Sequence, residues 1–175
     1  MTTRVRQVTE LAVKVTATST VYIATTLMGA CLRIVVARKL TTEYLNQNRE
    51  TIERGLLVWL AEGSLTRIHL EVYRPGGAEA VERWRFCVLH DDAVDSVPTA
   101  PPAQQLADLC AVLRALPADA QYRVVVERSE GATTVPGWAP TKLLPMTQPE
   151  HAHIGAWGYE DARVALTYQK PGGPQ

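Results

Sequence analysis

Any chemistry this chain performs must be drawn from a short list of residues. His151 and His153 flank Ala152, and on an extended segment two such imidazoles fall on one side, which is chelating geometry. With no third ligand beside them, the simpler reading is two polar loop residues. His90, Asp91, Asp92 and Asp95 follow a strand-like run, and paired carboxylates at a strand end can hold Mg²⁺. The same residues make an ordinary polar turn, where Asp is a favoured type. Neither cluster comes with a nucleophile or base motif. Cys31, Cys87 and Cys110 are far apart, each in an apolar stretch and without metal-ligand spacing. They read as reduced core residues in a reducing compartment, since a catalytic thiol calls for a neighbouring His motif. Gly-rich phosphate loops, Gly-x-Ser-x-Gly and Cys-x-x-Cys are all missing. The expectation is a protein that is not an enzyme, with no catalytic residue, no metal and no cofactor. The alternative is a small metal-dependent hydrolase or nuclease using Asp91, Asp92 and the histidines.

Composition narrows the class. A chain of 175 residues with 46% hydrophobic residues can bury one sizeable core and is too apolar for disorder. Lys plus Arg is 18 and Asp plus Glu is 18, so the net charge is zero. That balance argues against direct nucleic-acid binding, which needs a basic stripe against phosphates, and against attraction to an anionic membrane. No apolar run follows the polar start from Met1 to Gln7, so a signal peptide is not expected and the location is read as cytoplasmic. The longest uncharged run, Val15 to Leu32, holds six Ser and Thr residues, and its strongly apolar part is only Val21 to Leu32. A run that short reads as a buried core helix, not a membrane span.

Periodicity places the elements. Thr18, Ser19 and Thr20 offer N-caps for a helix to about Arg38, apolar nearly all round and therefore central. Thr42 to Glu62 is an amphipathic helix with Leu45, Ile52, Leu56, Trp59 and Leu60 on one stripe, ended by Gly63. The period then changes to two. Leu65 to Tyr73 and Val81 to His90 read as an antiparallel hairpin around Pro75-Gly76-Gly77. A third helix fits Pro102 to Leu116, stopped by Pro117, and Gln121 to Arg128 reads as a third strand.

Residues 129 to 161 are different. They hold eight Pro and Gly residues together with Trp138 and Trp157, and the only clear strand beyond them is Arg163 to Tyr168. So long a Pro/Gly-rich stretch in a compact domain is either functional or disordered, and tryptophans need burial. The expectation is a segment that packs, but in more than one way. The chain thus divides into an N-terminal segment 1–17, a core 18–128 and a C-terminal segment 129–175.

This order of elements resembles the HORMA domain. The echo is carried by Val21-Tyr22-Ile23 in the buried helix, by the helix end running from Ile52 through Gly55 and Trp59 to Gly63, and by the strand Ile68 to Val72. It is similar to bacterial HORMA proteins of CBASS antiphage operons. The resemblance implies an α+β fold, three helices on a mainly antiparallel sheet, with a mobile C-terminal safety belt that wraps a closure-motif peptide. It implies that the peptide adds a strand to the sheet; the tail Tyr168 to Gln175 shows no closure motif, so the peptide is expected from another chain. It implies that the closed complex activates a cGAS/DncV-like nucleotidyltransferase, and that an AAA+ ATPase pulls on the N-terminus to reopen it. Tyr122, Val124, Val126 and Arg128 would then offer the backbone edge, and Trp138, Trp157 and Tyr159 would clamp the peptide. The competing reading for these aromatics is plain core packing.

Overall fold

The computed structural model describes residues 3–90, 98–159 and 161–173, with the backbone alone over 3–18. Helix α1 spans Thr3–Ala37 and α2 Glu43–Ala61. Strands β1 (Leu65–Tyr73) and β2 (Ala80–His90) follow, then α3 (Ala103–Val112), β3 (Gln121–Arg128), β4 (Glu150–Tyr159) and β5 (Ala162–Lys170).

Helix α1 begins well before the Thr18–Thr20 caps that the sequence suggests. No Gly or Pro interrupts the chain before Gly29, and Ser19, one of the cap candidates, is used otherwise. Ser19 donates its hydroxyl to Asp161 at 2.8 Å, and Thr26 bonds back to the Ile23 carbonyl at 3.0 Å. Thr3–Gln7 of the polar start lie in the helix; Met1 and Thr2 lie outside the described residues. Ser19–Ala37 is long and apolar enough to cross a membrane by length and composition, yet Ile23, Leu27 and Ile34 are fully buried in the core.

Helix α2 buries the expected stripe of Leu45, Ile52, Leu56, Trp59 and Leu60. It ends at Gly63, whose φ of +67° suits a residue without Cβ. Helix α3 stops four residues earlier than Leu116, because the chain turns extended at Leu113, with ψ 144°. The turn frees the Arg114 carbonyl to accept from the Arg38 guanidinium at 2.7 Å.

The five strands form one antiparallel sheet in the order β3-β1-β2-β5-β4. The β1–β2 hairpin pairs Ile68 with Phe86 and Leu70 with Trp84, and β3 pairs with β1, Val124 opposite Leu70. Strand β4 is hidden in the sequence, inside the Pro/Gly-rich stretch. Gly155 and Gly158 break its apolar alternation, and a bulge follows His153. Gly155 is there for space: a Cβ would come within 2.8 Å of Pro102.

One face of the sheet, carrying Ile68, Leu70, Phe86 and Leu166, packs under the helices. The opposite face is also buried in part, with His69 at 2% and Glu71 at 0% exposure. What covers it is the segment between β3 and β4. Leu144 donates its N–H to Glu71 at 3.0 Å, and Ala80 donates to the Pro145 carbonyl at 3.0 Å.

Candidate functional site

Strand β3 is an edge of the sheet. Alternate residues of an antiparallel edge strand turn their N–H and C=O away from the ladder. Val124 does so, and its N–H meets only the Tyr44 hydroxyl, at a long 3.5 Å. The backbone groups of Tyr122 and Val126 share that side by alternation. Glu127, of the other parity, has its carbonyl on the β1 side, where Thr66 donates to it at 3.0 Å.

The chain leaving β3 runs first along α2. Ser129 donates to the Ser64 carbonyl at 2.8 Å, Trp59 Nε1 to the Thr133 carbonyl at 2.8 Å, and Trp138 Nε1 to the Thr51 carbonyl at 3.1 Å. Trp138 stands edge-on to Trp59 with 5.0 Å between ring centroids. Such close approach depends on Gly55, where a Cβ would come within 2.5 Å of Trp138 and 2.8 Å of Trp59. The segment then passes the β3 edge to the far face, where Arg123 donates to the Lys142 carbonyl at 2.8 Å.

Between the β3 edge, α2 and this segment lies an open groove of about 580 Å³. Its walls are Tyr44 and Ile52 of α2, Val124 and Val126 of β3, and Val135 and Trp138 of the crossing segment. Arg123 and Arg128 bracket the stretch of β3 that lines it. An unpaired backbone edge beside apolar walls is equipped to accept one more strand.

The structure brings four of the expected residues, Val124, Val126, Arg128 and Trp138, to this groove. Tyr122 lies beside it and faces inward. Its hydroxyl donates to the Thr41 carbonyl at 2.9 Å, and burial raises its pKa. Trp157 and Tyr159 are not part of the groove. They sit on β4, at the opposite edge of the sheet. Trp157 is fully buried against Phe86 and donates to Thr26 at 3.0 Å, while Tyr159 packs on Tyr22 at 5.0 Å. The core-packing reading describes Trp157. Tyr44, Ile52, Arg123 and Gly55 were not singled out for this site from sequence. A buried Gly in the middle of an amphipathic helix was the one available signal.

Among the described residues the chemistry-bearing side chains do not assemble into a centre. Asp91, Asp92 and Asp95 lie outside the described residues. His90 reaches the Leu65 carbonyl at 3.3 Å, and His151 Nδ1 is 3.0 Å from the Gln169 amide. Among the described residues no group of three or more His, Cys, Asp or Glu is placed to hold a metal. Burial pushes the Cys31 thiol up to about 12, which keeps it protonated and inert at neutral pH.

Two buried ionic sets fasten the C-terminal half. Glu71 of β1 accepts from Arg83 of β2 at 2.7 Å and from Arg123 of β3 at 2.7 Å, besides Leu144. Glu82 accepts two bonds from Arg38 at 3.0 Å each, one from Trp84 Nε1 at 3.1 Å and one from the Tyr168 hydroxyl of β5 at 3.2 Å.

No curated protein matches this chain in sequence. Solved structures share its fold. A chain of the E. coli MS115-1 CdnC:HORMA-deltaN complex aligns at TM-score 0.65 and 12% identity, over 90% of this chain and 90% of that one. C. elegans HTP-1 bound to the HIM-3 closure motif aligns at TM-score 0.65 and 12% identity, over 86% of each chain. C. elegans HTP-2 bound to the HIM-3 closure motif gives 0.63 and 15%, over 82% of this chain and 88% of that one. At such identities the likeness is one of fold. The sequence model of bacterial HORMA domain 2 matches residues 8–153, most of the chain, and the protein therefore belongs to the bacterial HORMA domain 2 family.

Proposed function

We propose that this chain is a signalling adaptor that grips a closure-motif peptide from another chain along the outer edge of β3. The observation that carries the reading is the groove itself, an unpaired strand edge with a connecting segment passing around it. The C. elegans proteins of the same fold are described with closure motifs bound, and the E. coli HORMA protein is described in complex with CdnC. In this reading residues 129–149 are the part of the safety belt that crosses the groove, and the β4–β5 hairpin anchors its far end. The closed, peptide-bound protein binds and activates a cGAS/DncV-like nucleotidyltransferase in cytoplasmic antiviral defence. An AAA+ ATPase engages the N-terminus and reopens it. A pull there is transmitted along α1, whose Ile23, Leu27 and Ile34 are in the core.

The test uses Val126→Pro. Proline lacks an N–H, and on an edge strand whose N–H points outward it removes no ladder bond. A cGAS/DncV-like nucleotidyltransferase from the same genome is incubated with ATP and GTP, this chain, and a peptide selected for binding to it. Cyclic product should form only with both chain and peptide. It should be lost with Val126→Pro at an unchanged melting temperature. Equal product with Val126→Pro, or with the peptide left out, would contradict the proposal.

A further inference from the structure

The groove carries a charge asymmetry that bears on what it holds. Its lining includes two guanidinium groups and no carboxylate. The two arginines are not equivalent. Arg123 is committed to Glu71, the Thr141 hydroxyl and the Lys142 carbonyl. Arg128 is exposed and stacks over the Trp59 ring, 4.6 Å from its centroid. It gives one bond, to the Thr133 carbonyl at 2.9 Å, and makes no ion pair among the described residues. The nearby carboxylate of Glu62 accepts from the Thr133 N–H at 3.3 Å and the Ser64 hydroxyl at 3.0 Å, both at Oε2, and it acts on Arg128 through charge without forming an ion pair with it. Stacking on the indole fixes the guanidinium plane, so its remaining N–H groups are presented at little further entropic cost.

The register of an added strand follows from β geometry. Side chains directly opposite one another in paired strands lie on the same face, and that face repeats every two residues. Positions opposite Val124, Val126 and Arg128 therefore all face α2. The first two meet Ile52, Val135 and Trp138, and the third meets Arg128. We propose that the occupant of the groove is an extended peptide with apolar side chains at two alternate positions and an Asp or Glu two residues further on, opposite Arg128. The inference rests on the peptide-gripping reading above and adds the class of peptide. Arg128 is its specificity-determining residue, because it spends one of its five N–H donors on the chain where Arg123 spends four.

The experiment is selection from a phage-displayed library of random dodecapeptides. The full chain, Arg128→Glu and Arg128→Gln are immobilised in parallel, after melting curves show that all three are folded. The wild-type chain should enrich an acidic residue two places from an apolar-x-apolar pair. Arg128→Glu should lose that preference. A synthetic peptide from the wild-type selection should bind Arg128→Glu about tenfold more weakly, with Arg128→Gln between. Raising the salt should narrow the difference, as expected of an exposed pair. Two results would overturn the assignment: enriched peptides without the carboxylate, or the same sequences enriched on wild type and Arg128→Glu. If those peptides lose binding on Val126→Pro, the groove still holds peptide and only the charge assignment fails. If their binding is indifferent to Val126→Pro, the peptide-gripping reading fails as well.

Discussion

The backbone N–H of Leu144 donates to the carboxylate of Glu71 at 3.0 Å, and that carboxylate is wholly buried. One bond from the crossing segment thus reaches the centre of an ionic set spanning three strands. Replacing Glu71 by Gln leaves Arg83 and Arg123 uncompensated against the same face. Breaking a buried pair from one side costs about 3–5 kcal/mol. Urea unfolding of Glu71→Gln should show a loss of that order. Limited proteolysis between residues 139 and 147 should accelerate relative to wild type. A loss within experimental error would mean that the segment is held by other contacts.

Gly55 sets how closely the crossing segment packs on α2. Gly55→Ala gains helix propensity of about 1 kcal/mol, but its methyl meets the Trp138 and Trp59 rings at distances no Cβ tolerates. Overpacking of this kind costs about 1–3 kcal/mol, so the net effect is destabilising or near zero. The tryptophan emission maximum should move to the red as Trp138 is displaced toward solvent. An unchanged spectrum with raised stability would show that the two rings are not held as described.

Tyr168 ties β5 to the Arg38–Glu82 pair, and burial holds its hydroxyl well above the usual phenol range. Tyr168→Phe removes one donor from a buried carboxylate that keeps three others. A loss of about 1–2 kcal/mol in thermal or urea unfolding is expected, with no effect on the β1–β3 half of the sheet by amide exchange.

His69 supplies a pH dependence. Its ring is buried beside Glu127, 2.7 Å away, with Arg83 and Arg85 also acting on it, and burial lowers its pKa below 6.5. The unfolded ring takes up a proton near 6.5, before the folded one does. Stability from this group is therefore complete above that pH and is lost as pH falls toward the lowered folded value. The urea midpoint should drop between pH 7.5 and 5.5, and His69→Gln should flatten that slope. A midpoint that rises on acidification would mean that the Glu127 pairing outweighs burial.

Much of the scaffold was legible in the sequence because single elements announce themselves by period. The stripe Leu45, Ile52, Leu56 and Trp59 needs nothing but α-helical spacing, β1 alternates from Ile68 to Val72, and β3 is centred on the run Val124, Val125 and Val126. Strand β4 was not legible, because Gly155 and Gly158 interrupt its apolar alternation, and Gly155 is there for space and not for strand propensity. The early start of α1 was hidden for a different reason: Ser19 is a cap type in isolation but donates to Asp161 here. The groove was half legible. Val124, Val126 and Arg128 lie on a strand whose period places them together, while Tyr44 and Ile52 come from a helix that only the tertiary packing brings alongside. Trp157 misled because a tryptophan among prolines and glycines carries no sign of which wall it will fill. Removing everything after Arg128 would delete β4 and β5 with it, so the groove is better tested by single substitutions.

The central claim is strand addition at the outer edge of β3, and residue-resolved amide exchange tests it most directly. Exchange is followed by NMR in the free chain and at saturation with a selected peptide. The Val124 and Val126 amides, which point away from β1, should slow by an order of magnitude or more, in line with about 1.4 kcal/mol or more of added protection. Those of Arg123, Val125 and Glu127, already turned toward β1, should change much less. Saturating peptide that leaves Val124 and Val126 exchanging at their free rates would contradict strand addition at this edge.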